Sequence, residues 1–113
     1  MSPVIDIDDL DRGENSHQFI GADHDVPVSM FLVHSAPGNG PSLHRHPYDE
    51  ILVVQEGEAT VTAEAEERVV RGGEVVIVPA GVAHAFVNTG DGPLRQLDIH
   101  LSASFDTEWL SDA

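Results

Sequence analysis

Three of the seven histidines in this 113-residue chain are spaced in a way that suits metal binding. His44 and His46 are two residues apart, and in a β-strand such residues face the same side of the sheet. Pro47 then interrupts the strand, so parity does not determine where Glu50 points, although a hairpin would bring its carboxylate beside the two imidazoles. His84 opens a later apolar segment after a Pro-x-Gly turn. If the two segments are neighbours in the fold, three imidazoles and one carboxylate converge.

Such a cluster would bind one divalent transition metal ion, because imidazole and carboxylate ligands suit Fe, Mn, Zn, Ni, Co and Cu. Three neutral imidazoles and one carboxylate leave a charge of about +1 on a divalent site. Four protein ligands also leave two positions of an octahedron open. A small molecule that chelates through two oxygens fits there, as does a substrate together with O₂ or water. The sequence therefore predicts metal-dependent chemistry on a small oxygenated molecule, with Fe, Mn, Zn or Ni as the cofactor.

The composition excludes several other functions. The chain has 20 Asp and Glu against 5 basic residues, all of them arginine, and its net charge is −15. Nucleic acids and anionic membranes both require basic surfaces, so neither is expected as a partner. Without Lys or Cys there is no lysine Schiff base, thiolate nucleophile or disulfide. No segment resembles a signal peptide or a membrane span, so a soluble cytoplasmic protein is expected.

Short apolar segments between Gly- and Pro-rich turns predict that the ligands are held by an all-β barrel or sandwich. The predicted strands cover 28–34, 51–54, 59–63, 75–78, 84–87 and 94–101. Residues 1–16 are acidic and are predicted to form an N-terminal arm or a short edge strand. The tail over 105–111 is predicted to form the one short helix, with Asp106 as its N-cap.

Two segments resemble the two signature motifs of the cupin superfamily. The first, over 38–57, follows the pattern G(X)5HXH(X)3,4E(X)6G with Gly38, His44, His46, Glu50 and Gly57. The second, over 73–88, follows G(X)5PXG(X)2H(X)3N with Gly73, Pro79, Gly81, His84 and Asn88. Every spacing of both patterns is met, so the resemblance is specific.

The resemblance implies a single cupin domain over 1–113, folded as a double-stranded β-helix, or jelly-roll barrel, to which the sequence adds the short C-terminal helix. It places the metal inside the barrel on His44, His46, Glu50 and His84. It also implies a homodimer; members of the family often exchange N-terminal strands, for which residues 1–10 are available here, and the sequence leaves open whether they are exchanged. We expect a metal-dependent, dioxygenase-like enzyme acting on a small molecule. The alternatives are a metal-dependent isomerase or lyase, a non-catalytic small-ligand-binding module, and a metal-stabilised structural dimer.

Two residues are candidates for a catalytic acid–base role, which an isomerase or lyase would need. Tyr48 lies between the predicted ligands His46 and Glu50 and would have to reach the mouth of the site. His100 lies in a strand whose polar and apolar residues alternate. A surface position is the favoured interpretation for His100, and in the alternative it faces the barrel beside the metal.

Three apolar residues are predicted to form the wall of the substrate pocket. Phe86 has the strand parity of His84, while Leu52 and Val54 have the parity of Glu50. With few arginines to bind an anion, such a pocket favours a neutral or weakly acidic substrate over a sugar phosphate.

Overall fold

The computed structural model describes residues 2–110, in which eleven strands form two antiparallel sheets. The strands are β1 (Asp11–Arg12), β2 (Ser16–Phe19), β3 (Ser29–Ser35), β4 (His44–Arg45), β5 (Glu50–Glu56), β6 (Glu58–Ala63), β7 (Glu66–Arg71), β8 (Glu74–Val78), β9 (His84–Asn88), β10 (Leu94–His100) and β11 (Glu108–Trp109). One sheet has the order β1-β2-β3-β10-β5-β8 and the other has the order β11-β4-β9-β6-β7. The predicted all-β jelly roll is confirmed.

The apolar core fills the space between the two sheets. Its buried members are Leu52, Val54, Ala59, Val61, Val70, Val78, Phe86 and Leu94. Burial of each Val, Leu or Phe side chain of this kind stabilises the fold by about 1.5–3 kcal/mol. Beside this core the barrel encloses an open cavity, into which β5, β9 and β10 carry the polar side chains of Glu50, His84, Asp98 and His100.

The tail does not form the helix predicted over 105–111. As far as the structure describes it, the tail is extended, and the last residue of that range lies outside the described residues. In β11, Glu108 pairs with Arg45 and Trp109 pairs with His44 of β4. The side chains of Arg45 and Glu108 also form an ion pair. Pairing with a sheet edge satisfies backbone groups that a single helical turn would leave unpaired.

The N-terminal segment differs in detail from the predicted arm. Two 3₁₀ helices, Ile7–Asp9 and Gly21–His24, flank the strands β1 and β2. The edge strand is the polar pair Asp11–Arg12, which pairs with β2, whereas Val4 is 96% exposed. Strand β2 was not predicted, because its sequence Ser-His-Gln-Phe has little apolar alternation.

Residues 2–110 include no helix of sufficient length and hydropathy to cross a bilayer. The cytoplasmic location and the absence of nucleic-acid partners stay predictions from the sequence.

Gly40 allows the loop before His44 to approach β9 closely. A Cβ atom at Gly40 would overlap the backbone carbonyl of Phe86. We expect Gly40→Ala to lower the free energy of unfolding by about 1–3 kcal/mol, measured by urea denaturation. Gly92→Ala is the matched control, because nothing lies within 4 Å of its added Cβ and no positive φ strains it. Equal unfolding midpoints for the two variants would contradict this account.

Candidate metal centre

The structure brings the four predicted ligands together at the open end of the barrel. Glu50 begins β5 in one sheet, while His44 and His84 face each other across β4 and β9 in the other. His46 follows directly after β4. One potential ligand atom from each residue lies within 4.8 Å of the others. All four side chains are buried, so the cluster is a single buried site.

Backbone carbonyls orient the three imidazoles. In each ring, Nδ1 lies within hydrogen-bond distance of a carbonyl oxygen, which can only accept. Nδ1 therefore carries the proton and donates, and in the neutral ring the lone pair of Nε2 is left facing the centre of the site. The pairs are His44 with Ser42 (2.7 Å), His84 with Val82 (2.9 Å) and His46 with Asp106 (3.0 Å).

This arrangement fits a metal cation better than it fits a set of internal hydrogen bonds. Nε2 of His84 lies 2.9 Å and Nε2 of His46 lies 3.2 Å from Oε1 of Glu50. With Nδ1 protonated, neither neutral ring has an Nε2 proton to donate to that oxygen. Nε2 of His46 has no aligned hydrogen-bond partner within residues 2–110. Buried lone pairs that face one another destabilise a fold unless a cation shares them, and three imidazoles and one carboxylate suit Mn, Fe, Zn or Ni.

The ionisation states of Glu50 and His44 also suit a metal centre, whereas for His46 the effect of burial is outweighed by Glu50 and Asp106, which raise its pKa. Burial by itself would raise the pKa of Glu50, but His100, whose imidazole lies beside Oε2, is the largest of the influences that hold that pKa well below its usual range. Burial lowers the pKa of His44, with smaller contributions from His84 and His46, and despite the opposing hydrogen bond to Ser42 and the charge of Glu50 that pKa falls to about 4. At neutral pH, Glu50 is therefore anionic and His44 is neutral, as metal ligation requires.

The favoured surface position for His100 was wrong. Its side chain is 1% exposed and points inward from β10, with Nε2 3.2 Å from Oε2 of Glu50. Over the second half of β10 the polar Gln96, Asp98 and His100 face the interior, and the apolar Leu97 and Ile99 face outward. The alternation was therefore visible in the sequence, but it was assigned to the wrong faces. Tyr48, the other acid–base candidate, lies beside His100 and stacks on the ring of His46.

The hydrogen bonds of Tyr48 define the tautomer of His100. The hydroxyl oxygen of Tyr48 accepts from the backbone N–H of Asp106 at 3.3 Å, and its own proton is left to donate. Nδ1 of His46 already donates to a carbonyl, so the acceptor for that proton is Nδ1 of His100, at 2.7 Å. His100 consequently carries its proton on Nε2. It presents an N–H to the site, where the three ligand histidines present lone pairs.

A cavity of about 350 Å³ opens above the four ligands. Phe86 lines it as predicted, and Phe31 and Val33 of β3 complete the apolar wall. Leu52 and Val54 do not line it, because they lie two and four residues deeper along β5 than Glu50 and pack in the core. The tail residues Thr107 and Trp109, which sequence reasoning missed, and the β2 residues Ser16 and Gln18 form much of the rim. No sequence signal indicated that the two terminal segments would fold over the same opening.

Comparison with known protein families agrees with this geometry. The family model described as the cupin domain matches residues 31–100, which include both motifs and all four proposed ligands. The chain therefore belongs to the cupin family.

Two curated proteins share part of this sequence. The uncharacterized protein SCO3923 of Streptomyces coelicolor is 33% identical over 78 residues, which are 69% of this chain and 74% of that protein. Endoribonuclease YbeY of Myxococcus xanthus is 30% identical over 84 residues, covering 73% of this chain. The matched part is only 29% of that endoribonuclease, so the similarity concerns a segment of it.

Solved structures of oxalate-metabolising enzymes have the same fold. An oxalate oxidase superposes with a TM-score of 0.67 and 30% identity, over 74% of this chain and 46% of that one. Oxalate decarboxylase of Bacillus subtilis, studied for its Mn(II) centres, superposes with a TM-score of 0.75 and 25% identity. That match covers 88% of this chain and 29% of the decarboxylase. This chain thus spans less than half the length of either enzyme.

Removal of one ligand histidine is expected to weaken metal binding selectively. For His84→Ala we expect Mn²⁺ affinity to fall by at least about 100-fold, because a lost ligand costs more than a lost partner of a ligand. Isothermal titration calorimetry of protein freed of metal measures the change. The matched control is His24→Ala, since His24 is exposed and stacks on Phe19 away from the cluster. Unchanged affinity in His84→Ala would rule out the assigned site.

Proposed function

We propose that this protein is a metal-dependent, dioxygenase-like enzyme that acts on a small oxygenated molecule chelated at His44, His46, Glu50 and His84. The observation that carries the proposal is the pairing of this ligand set with His100 in one cavity. A metal held only for stability needs its ligands alone. Here a fourth histidine, held in the opposite tautomer by Tyr48, presents an N–H beside them.

Mn²⁺ or Fe²⁺ is the ion we propose for the site. The similarity to an oxalate decarboxylase with Mn(II) centres supports this choice, as do three nitrogen ligands and one carboxylate. When bound, the ion would supply Lewis acidity to a chelated substrate oxygen and, as Mn or Fe, electrons for O₂.

The chain's own side chains bind and orient the substrate and supply a proton. His100 donates a proton from Nε2 toward a substrate oxygen beside Glu50. The hydroxyl of Tyr48 donates a hydrogen bond to Nδ1 of the same ring and so keeps the proton of His100 on Nε2. The backbone N–H of Asp106 donates to the Tyr48 hydroxyl and fixes its orientation. The series of hydrogen bonds from Asp106 through Tyr48 to His100 is therefore aligned before substrate enters. The apolar wall of Phe31 and Phe86 excludes water from one side of the cavity.

The hydrogen-bonded pair of Tyr48 and His100 also favours a metal-dependent isomerase or lyase as the second candidate, because such reactions move a proton between substrate carbons or oxygens. Within residues 2–110 no arginine lines the cavity, which supports a neutral or weakly acidic substrate in either case. Oxygen uptake with a panel of oxalate, diols, diketones, uronates and flavonols separates the two: a dioxygenase consumes O₂ with substrate, whereas an isomerase or lyase forms product without it. Tight binding of one compound without turnover would indicate a non-catalytic binding module.

Loss of the Tyr48 hydroxyl is expected to slow turnover without loss of metal. For Tyr48→Phe we expect kcat on the best substrate of the panel to fall about 100-fold, the usual contribution of one positioned proton donor. Metal content, measured by elemental analysis, should stay at the wild-type ratio. Thr60→Val is the control, because it removes a hydroxyl whose partner, Thr89, lies on the surface. Wild-type kcat in Tyr48→Phe would contradict the proposed role.

We also propose that the protein is a homodimer that pairs through the outer face of its six-stranded sheet. Val75 and Ile77 of β8 are 58% and 71% exposed there. They lie opposite Val53 and Ile51 of β5, which in turn lie opposite Leu97 and Ile99 of β10. A continuous apolar patch on an exposed face is typical of a protein interface. In a chain of net charge −15, a second copy can approach best through this uncharged area, related by a twofold axis.

A charge placed in the patch is expected to separate the subunits. Size-exclusion chromatography with light scattering should give a dimer for the wild type and a monomer for Ile77→Glu, because the carboxylate would be buried against its apolar counterpart. Val26→Glu, which adds the same charge at a 39% exposed position outside the sheets, should leave the dimer intact. A monomeric wild-type protein would refute the dimer.

A further inference from the structure

Strand register places the single tryptophan of this chain at the candidate metal centre. In the five-stranded sheet, Trp109 of β11 lies opposite His44 of β4, and His44 lies opposite His84 of β9. Residues that lie opposite one another in antiparallel strands project from the same face of the sheet. The indole and the two imidazoles therefore form one row across the inner face. The ring of Trp109 lies 5.0 Å from the ring of His44, centroid to centroid, at an angle of 46°.

Trp109 differs from the two histidines of this row in its exposure. In the part of the chain that the structure describes, Trp109 is 62% exposed, whereas His44 and His84 are 6% and 2% exposed. Trp109 nevertheless lines the cavity above the ligands. The apolar patch proposed for dimer contact lies on the outer face of the other sheet, so a partner subunit bound there would not cover the indole. An exposed indole that faces a cavity offers a surface on which a ring of a bound molecule can stack.

The other walls of the cavity suit an apolar ring. Phe86 lines the cavity from the sheet that carries the indole, and Phe31 and Val33 line it from the opposite sheet. Hydroxyl groups of a sugar ring directed at these side chains would be left unpaired, which is unfavourable in a cavity. An aromatic ring has no such groups on its faces. The polar side chains of Ser16 and Gln18, which also line the cavity, are available to substituents of the ring.

We propose that Trp109 determines the specificity of this site by stacking on an aromatic ring of the substrate. The inference rests on the proposed function, because the same substrate must chelate through two oxygens at Glu50 and the three histidines. Stacked aromatic rings have centroids about 4.5–7 Å apart. Since the indole is 5.0 Å from the ring of the ligand His44, an aromatic ring attached directly to the chelating group would come within stacking distance of it. The substrate class is then a small aromatic compound with two neighbouring oxygens on the ring or on its first substituent.

Hydroxamic acids that share one chelating group and differ in the attached group test this inference. Benzohydroxamate carries an aromatic ring, cyclohexanecarbohydroxamate carries a saturated ring of similar size, and acetohydroxamate carries no ring. Calorimetric titration into Mn²⁺-loaded protein measures their affinities without requiring turnover. We expect the ratio of the benzohydroxamate affinity to the cyclohexanecarbohydroxamate affinity to be about fivefold higher in the wild type than in Trp109→Leu. Comparison of the two ratios cancels the differences in acidity and hydrophobicity between the compounds.

Further variants assign the preference to the aromatic face of Trp109. Trp109→Phe should retain most of the preference for the aromatic ring, because a phenyl ring still offers a stacking face. The affinity for acetohydroxamate should be the same in the wild type and in both variants. The matched control is Phe19→Leu, which also replaces an aromatic side chain, since Phe19 stacks on His24 and neither residue lines the cavity. Phe19→Leu should keep the wild-type ratio of affinities.

Fluorescence shows independently whether the ligand covers the indole. Because Trp109 is the only tryptophan of the chain, the tryptophan emission reports on this side chain alone. Binding of benzohydroxamate should move the emission maximum to shorter wavelength, because the ring would displace water from the exposed indole. Binding of acetohydroxamate should leave the emission maximum unchanged.

The outcomes separate the stacking role from the proposed function. An affinity ratio that is the same in Trp109→Leu and the wild type, or an emission maximum that benzohydroxamate does not move, would overturn the stacking role while chelation at the metal stands. A loss of acetohydroxamate affinity in Trp109→Leu would show that the indole supports the metal centre itself, and would overturn the role as well. Failure of all three hydroxamates to bind would overturn chelation at the metal, and the stacking role with it.

Discussion

The burial of one carboxylate among imidazoles is the interaction on which the rest of this structure depends. Glu50 is 2% exposed, and the Nε2 atoms of His84, His46 and His100 lie between 2.9 and 3.2 Å from its oxygens. A charge in such a place is costly unless a cation or a set of donors compensates it. Two of these rings have their protons directed to backbone carbonyls and so cannot compensate it as neutral donors. A divalent ion can, and the barrel supplies the geometry for it.

The jelly roll surrounds this carboxylate with imidazoles because residues from both sheets converge at one end of the barrel. Glu50 and His100 come from neighbouring strands of one sheet, and His44 and His84 from neighbouring strands of the other. The apolar core beneath them holds the sheets at a fixed separation, so the ligand positions are set by packing. The tail adds the last element, because Asp106 holds both the imidazole of His46 and the hydroxyl of Tyr48. The positions of the ligand His46, of Tyr48 and of the rim of the cavity therefore all depend on the pairing of β11 with β4.

Much of this could be predicted from the sequence, because motif spacing and strand alternation are local. The four ligands and the β-fold required only the parity of strands and two sets of spacings. His100 was assigned to the wrong side because the sequence does not say which face of an alternating strand is inside, and β10 carries Leu97 and Ile99 outward. Leu52 and Val54 were assigned the correct face but the wrong depth, which only the filled core defines. The tail was predicted as a helix because pairing with β4 is a long-range contact that no local pattern encodes.

The measurement that tests the central claim most directly is the metal content of protein purified without added metal or chelator, expressed as ions per chain. The account predicts about one divalent ion per chain, with Mn or Fe as the native ion, because four converging ligands form one closed site. It also predicts that protein stripped with a chelator rebinds one equivalent of Mn²⁺ or Fe²⁺. A ratio near zero, together with no rebinding on titration, would show that Glu50 and its histidines are held by the fold alone, and would contradict the account.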